Sequence, residues 1–257
     1  DTIFVYKYFF DKGEKVQTAW SKWVFEGVKI LGAVSLESYL YVLAAEGQTT
    51  KLCRIDLQNL KESTLSFKVY LDLKDSVTGT FNAGTGLTTF TSPYGAKTNL
   101  TAVDRTTGIN YAATNTSGAA YTVVGNVPNL FIGLPFTSTY ELSPQYVRED
   151  TGRGRLAISS GRYQIRTITF DFNNTGYFRV STTPANRPTD ITQMTGYVIG
   201  SSNSQVGAPA ILTGQLRVPI AARNTDFNCQ IISDSHLPVQ ISQAEVEGFY
   251  HRRSRRI

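Results

Sequence analysis

In Lys51-Leu52-Cys53-Arg54-Ile55-Asp56-Leu57, the side chains of Cys53, Ile55 and Leu57 fall on one side and those of Arg54 and Asp56 on the other. A period of two is the signature of a half-buried strand. The same period returns in residues 66–73, where Phe67, Val69, Leu71 and Leu73 alternate with Lys68, Tyr70 and Asp72. Upstream, residues 1–58 read as about four strands, drawn from Ile3–Phe10, Gln17–Phe25, Val28–Leu36, Tyr39–Ala44 and Lys51–Leu57, with a turn at Asp11-Lys12-Gly13. A meander of this length is what one propeller blade looks like, and one blade cannot bury both its faces. Nothing after residue 58 repeats the pattern, so the missing neighbours are expected upstream. The chain also lacks an initiator Met, which points to a fragment or a processed product.

Downstream of residue 76 the character changes. To about Asn126 charge nearly vanishes, leaving Lys97, Asp104 and Arg105 among Thr, Gly, Asn and Ala. Turn clusters such as Asn82-Ala83-Gly84-Thr85-Gly86 separate short strands, and Phe81, Phe90, Tyr94, Tyr111 and Tyr121 supply apolar surface to bury. From Leu130 the strands lengthen. Leu156–Phe172 reads as one long strand or a bent pair around Gly161, and Asn173-Asn174-Thr175-Gly176 is a turn. Strands follow near Tyr177–Thr182, Thr195–Ile199, Ile211–Ile220, Phe227–Ile232 and Pro238–Ser242. Ser242-Gln243-Ala244-Glu245 matches a helix capping box, but Gly248 interrupts the helical spacing and the residues also alternate, which favours a last strand. Thr175-Gly176-Tyr177-Phe178-Arg179-Val180 and Thr213-Gly214-Gln215-Leu216-Arg217-Val218 form a faint internal repeat. The fold class is therefore all-β: a partial β-propeller blade (1–58), an irregular Thr/Gly-rich β insertion (59–126) and a β-sandwich or barrel-like, platform-like C-terminal domain (127–257).

Composition bounds the chemistry. The 257 residues, 41% hydrophobic, suffice for one large or two smaller cores and argue against disorder. No stretch approaches the roughly 18 apolar residues of a membrane helix, and the N-terminus does not read as a secretory signal. Cys53 and Cys229 lie in alternating patterns and read as small core hydrophobes rather than a disulfide. Net charge is +5, of which Arg252, Arg253, Arg255 and Arg256 contribute four, so the body is close to neutral and the basic character lies at the end.

Constellations that carry catalysis are weak. Ser235, His236 and Asp234 are adjacent in sequence, whereas triads assemble from distant positions. Cys53 and Cys229 lack close partners for zinc, and the acidic residues are too sparse for calcium. Gly152-Arg153-Gly154 lacks the remainder of a dinucleotide fingerprint, and Arg148, Arg153 and Arg155 beside Glu149 and Asp150 read as a mixed-charge loop or an interface. Among Glu141, Glu149, Asp150 and Asp171 no spacing singles out a glycosidase pair. No catalytic residue, cofactor or metal is assigned. Arg162, Gln164 and Arg166 share one strand face, which would be solvated on a monomer and would suit a neighbour or DNA in a ring.

Phe131-Ile132-Gly133-Leu134-Pro135-Phe136-Thr137-Ser138-Thr139-Tyr140-Glu141-Leu142-Ser143-Pro144-Gln145-Tyr146 resembles the Gly-Leu-Pro-aromatic signature of the tail tubular protein B, or nozzle, family of short-tailed podoviruses. Ser233-Asp234-Ser235-His236-Leu237-Pro238, Ala244-Glu245-Val246-Glu247-Gly248-Phe249-Tyr250 and Arg253-Ser254-Arg255-Arg256-Ile257 are similar to that family's C-terminus. Gln17-Thr18-Ala19-Trp20-Ser21-Lys22-Trp23 and Tyr39-Leu40-Tyr41-Val42-Leu43 look like its last blade. The likeness is weak from Ser76 to Asn126, and Val246 stands where the resemblance implies Trp. The resemblance implies a non-enzymatic subunit of a homohexameric ring in the virion tail, assembled in the host cytoplasm, next to a tail adaptor ring and tail fibres. Its lumen would pass DNA without sequence-specific binding and without a membrane partner. Phe249, Tyr250, Arg252, Arg253, Arg255 and Arg256 are the candidate subunit contacts. The competing expectations are a tail-associated polysaccharide or peptidoglycan hydrolase and a carbohydrate-binding adhesin.

Overall fold

The computed structural model describes residues 1–58, 60–151, 154–158, 161–194, 196 and 207–252. Among the described residues every regular element is a strand, in keeping with a composition rich in aromatic and β-branched side chains. The chain divides into two units, Asp1–Leu60 and Lys61–Ile257.

The first unit holds five strands in two sheets rather than about four in one meander. β1 (Thr2–Asp11) and β2 (Glu14–Val24) form a hairpin, whose turn residues Lys12 and Gly13 both have positive φ, the backbone that a tight hairpin needs. β3 (Val28–Leu36), β4 (Tyr39–Glu46) and β5 (Thr49–Asp56) form the second sheet. A tight turn over Phe25-Glu26-Gly27, closed by a 3.1 Å bond from Val28 N–H to Phe25 C=O, redirects the chain so that β2 and β3 share no ladder. Among the described residues of this unit Val42 is the one fully buried hydrophobic side chain, and Cys53 is half-buried rather than core. One face of the hairpin carries an aromatic ladder. Tyr6 faces Trp20 in register with ring centres 4.7 Å apart, and Tyr8 lies between Tyr6 and Phe10 at 5.7 Å from each, tilted against the first and edge-on to the second. Phe4 and Trp20 are each 70% exposed.

The second unit begins with two facing sheets. β6 (Asp72–Thr78), β9 (Thr101–Asp104), β10 (Asn110–Ala112) and β13 (Asn129–Leu134) form one in the order β10-β9-β13-β6. β7 (Thr80–Asn82), β8 (Leu87–Thr91), β11 (Thr114–Ser117) and β12 (Ala120–Val124) form the other. Phe90, Leu100, Tyr121, Val123, Leu130 and Ile132 pack between them. Tyr121 is buried because its hydroxyl donates to Lys97 C=O at 2.9 Å, whereas Phe81 is exposed. β13 lies between β9 and β6, so this sheet runs across the junction expected at Asn126.

The sheet of β13 is covered on both faces. Val103 and Phe131 point away from the first core and meet Phe67, Val69 and Leu71, with Ile211 and Leu237 from the C-terminal half. Residues 66–71 thus alternate as the sequence predicts, but they lie on the face of a sheet instead of extending its edge. They are not a strand, and Leu73 leaves the pattern at φ 49°. Gly133, in the Gly-Leu-Pro signature, sits where this layer is tight: a Cβ there would lie 2.7 Å from Asp72 O and from Leu71 Cβ.

The remaining strands build a third core. β17 (Arg162–Thr175) is flanked by β20 (Leu212–Arg223) and β22 (Ile241–His251). β14 (Ser138–Glu141), β18 (Phe178–Pro184), β19 (Asp190–Met194) and β21 (Phe227–Ser233) form the opposing sheet. Ile168, Phe170, Phe178, Val180, Val218 and Cys229 are among the residues between them. The 156–172 stretch breaks in two: β16 (Gly154–Ala157) folds back on β15 (Arg148–Thr151), and β17 starts afresh at Arg162. Within β17 the inward side chains change from Ile165 to Ile168, Phe170 and Phe172, a one-residue change of phase made by a bulge between Ile165 and Thr167. Ser242–Tyr250 is strand, not helix. The two copies of the faint repeat lie in opposing sheets, each with its Val in the core, Val180 in β18 and Val218 in β20. Residues 238–240 bond to 173–176 without joining a ladder, and the strand expected at Thr195–Ile199 lies outside the described residues.

Candidate docking surface

Alternation along β22 decides the fate of the aromatic pair near its end. Phe249, opposite Gln164, turns outward and is 61% exposed. Tyr250, opposite Tyr163, turns inward with its ring against Gly161, where any side chain would collide with it, and its buried hydroxyl has no hydrogen-bond partner. The two side chains expected to act as one anchor are therefore separated, and only Phe249 is presented. Arg252 Nη2 lies 3.1 Å from Glu149 Oε1, both well exposed. Arg253, Arg255 and Arg256 lie outside the described residues.

Arg162 and Gln164 share the outer face of β17, where Arg162 Nη2 donates to Gln164 Oε1 at 3.2 Å. Arg166, at the bulge, is exposed and stands near Glu247 of β22. Glu247 accepts from Thr167 Oγ1 at 2.6 Å and from Arg217 Nη2 at 2.9 Å. The Thr167 bond first, then the charge of Arg217, hold its carboxyl below the usual range. Glu247 thus offsets part of the positive charge of Arg166 and Arg217 here.

The same end of this sandwiched core carries a group of cations that sequence reading missed. A cleft of about 640 Å³ is lined by Gly161, Arg162, Gln164, Asn186, Arg187 and Arg223, with Asp226 at its side. Arg187, in the turn after β18, donates from Nη2 to Ala221 C=O at 2.8 Å. Among the described residues none of these three arginines makes an ion pair. They come from three segments far apart in sequence, so no local motif marks them.

Several of the catalytic candidates are otherwise engaged. His236 is buried with Nε2 2.9 Å from Gly108 C=O, and Asp234 pairs with Arg179 at 2.9 Å, so Ser235 has no triad around it. Glu141 accepts from Gln230 and Glu149 from Arg252. Cys229 is buried, and burial pushes its thiol up to about 12. Among the described residues no group of His, Cys, Asp and Glu could hold a metal ion.

The chain is 28% identical over 271 residues to "Tail tubular protein gp12" of Escherichia phage T7, covering 98% of this chain and 34% of that protein. The chain thus spans about a third of the length of that relative. The model of the bacteriophage nozzle protein family matches residues 1–257. The chain belongs to the bacteriophage nozzle protein family.

Proposed function

We propose that this chain is part of a structural subunit of a short phage tail, located in the virion, which assembles as a homohexameric ring around the path of DNA ejection. The observation that carries this reading is the family match along all 257 residues. The fold supports it: a first unit with one fully buried apolar side chain among its described residues and an exposed aromatic ladder would gain stability when something covers that face. In this reading the unit of residues 1–58 is a terminal propeller blade, residues 59–126 are an insertion, and residues 127–257 form a platform-like domain. Phe249, Tyr250, Arg252, Arg253, Arg255 and Arg256 contribute to docking on the adjacent tail adaptor ring or on tail fibres, Phe249 and Arg252 directly and Tyr250 by holding the strand end against Gly161.

DNA passes the lumen without sequence-specific binding, and the near-neutral body suits that passage, since dense phosphate contacts by Lys and Arg would retard it. Hydrolysis is the disfavoured alternative, because Glu141, Glu149, Asp234 and His236 are each committed to a local partner. Native mass measurement of the full-length protein tests the reading. A closed hexamer is expected, and a monomer that cleaves a capsular or cell-wall polymer would overturn it.

A further inference from the structure

We propose that the arginine cleft at the end of the C-terminal core is a docking site for an acidic protein segment whose carboxylates enter between Arg162, Arg187 and Arg223 while an apolar residue covers Phe249. This names the chemistry of a partner for the docking proposed above and rests on that reading.

Three arginines, Arg162, Arg187 and Arg223, line one concavity whose lining includes a single acidic residue, Asp226. Two of the three are oriented by neutral acceptors, Arg187 by Ala221 C=O and Arg162 by Gln164 Oε1. Such acceptors fix the direction of the planar fork without cancelling its charge. Like charges gathered in this way repel one another until an anion enters, and a preoriented guanidinium suits the two-oxygen edge of a carboxylate or phosphate. A further cation follows nearby: His251 pairs in register with Arg162, so Arg252 stands at this same end of the sheet.

Phe249 decides between the two anion classes. It pairs in register with Gln164, which lines the cleft, and its ring is 61% exposed. A duplex backbone offers phosphates but stacks its apolar bases away from such a ring. A protein segment offers carboxylates and apolar side chains together, and arginines beside an exposed aromatic are the composition of energetically dominant protein contacts.

The test uses the full-length protein and three fluorescent probes: a glutamate-rich peptide carrying one phenylalanine, its lysine counterpart, and a short DNA duplex. The acidic peptide should bind, and binding should fade with salt. Arg187→Glu with Arg223→Glu should weaken it about tenfold or more, as loss of charge-assisted contacts predicts, and Phe249→Ser several-fold. Should the charge reversal disturb the melting profile, Arg187→Gln with Arg223→Gln is read the same way. Binding that these changes leave untouched would overturn the proposal. So would a duplex that binds tighter than the peptide, loses affinity with the arginine changes and ignores Phe249→Ser, since the cleft would then be a phosphate site. Native mass measured on the same variants separates the two levels: a persistent ring with lost peptide binding concerns the cleft, whereas a wild-type monomer sinks the ring reading itself.

Discussion

His236 Nε2 lies 2.9 Å from the carbonyl oxygen of Gly108, 128 residues earlier in the chain. A carbonyl only accepts, so this nitrogen carries the proton of the neutral ring. The backbone C=O of His236 in turn accepts from Tyr70 N–H at 2.9 Å. One buried residue thus joins the Thr/Gly-rich sheets to the loop that leads into β22, beside Leu237 in the layer that covers Phe131.

The first expected outcome is a pH dependence of stability. Burial, partly opposed by the bond to Gly108, pulls the pKa of His236 below its ordinary 6.5. As pH falls through 6.5 the unfolded chain takes up a proton that the folded chain refuses. The unfolded state then binds more protons, so stability is complete above that value and declines below it, down to the folded pKa. Urea midpoints at neutral pH and at about pH 5.5 should differ for the wild type, and the difference should shrink in His236→Gln. An undiminished slope in the variant would show that other groups are responsible.

A second concerns the Gly-Leu-Pro signature. Gly133→Ala places a methyl 2.7 Å from the Asp72 carbonyl oxygen, which backbone cannot yield cheaply. We expect a loss of about 1–3 kcal/mol, the usual cost of overpacking, read as a lower denaturant midpoint. No change would mean that β6 moves aside freely.

Thiol reactivity gives a third. Cys229 is 1% exposed and its thiol is pushed up to about 12, whereas Cys53 is half-buried. A thiol reagent at mildly alkaline pH should label one cysteine of the native chain quickly and the second only with unfolding. Equal rates would contradict the closed core of β21.

Truncating the centre of that core supplies a fourth. Phe170 is fully buried among Ile168, Phe172 and Val218. Phe170→Ala should cost about 3–5 kcal/mol, and a shift under 1 kcal/mol by the same measure would mean that the two sheets are loosely packed.

The fifth addresses the basic end. Deleting residues 252–257 removes the Arg252–Glu149 pair, an exposed contact that contributes only about 0–1 kcal/mol, so the melting temperature should barely move. Assembly with the neighbouring tail ring should nevertheless become weaker and less salt-dependent. Unchanged assembly across a salt series would make the tail a solvated end.

Strand identity was legible in segments where one buried face writes a period of two into the residues. Lys51–Asp56 and Phe227–Ile232 follow it directly. Residues 66–71 show its limit: Phe67, Val69 and Leu71 alternate because they cover a sheet face, and alternation cannot tell covering a sheet from joining it. The bulge at Arg166 was hidden for a related reason, since Ile165 and Ile168 are out of phase by one and neither residue type marks the slip. Of the candidate site, Phe249 and Arg252 were visible as a local cluster. Arg187 and Arg223 were not, because Arg223 comes beside Arg162 through the pairing of β20 with β17, and Arg187 through the opposing sheet.

The hairpin β1–β2 has an optical consequence. The chain has two tryptophans, Trp20 and Trp23, and both are in β2. Tryptophan emission therefore reports the first unit alone, while the larger unit is seen only through tyrosine. Because Trp20 is 70% exposed, its emission should lie toward the red in the free chain and move to the blue when a neighbour covers the aromatic ladder. The molecule thus carries a built-in, label-free signal for the covering of that face, separable in wavelength from the melting of the three cores behind Lys61.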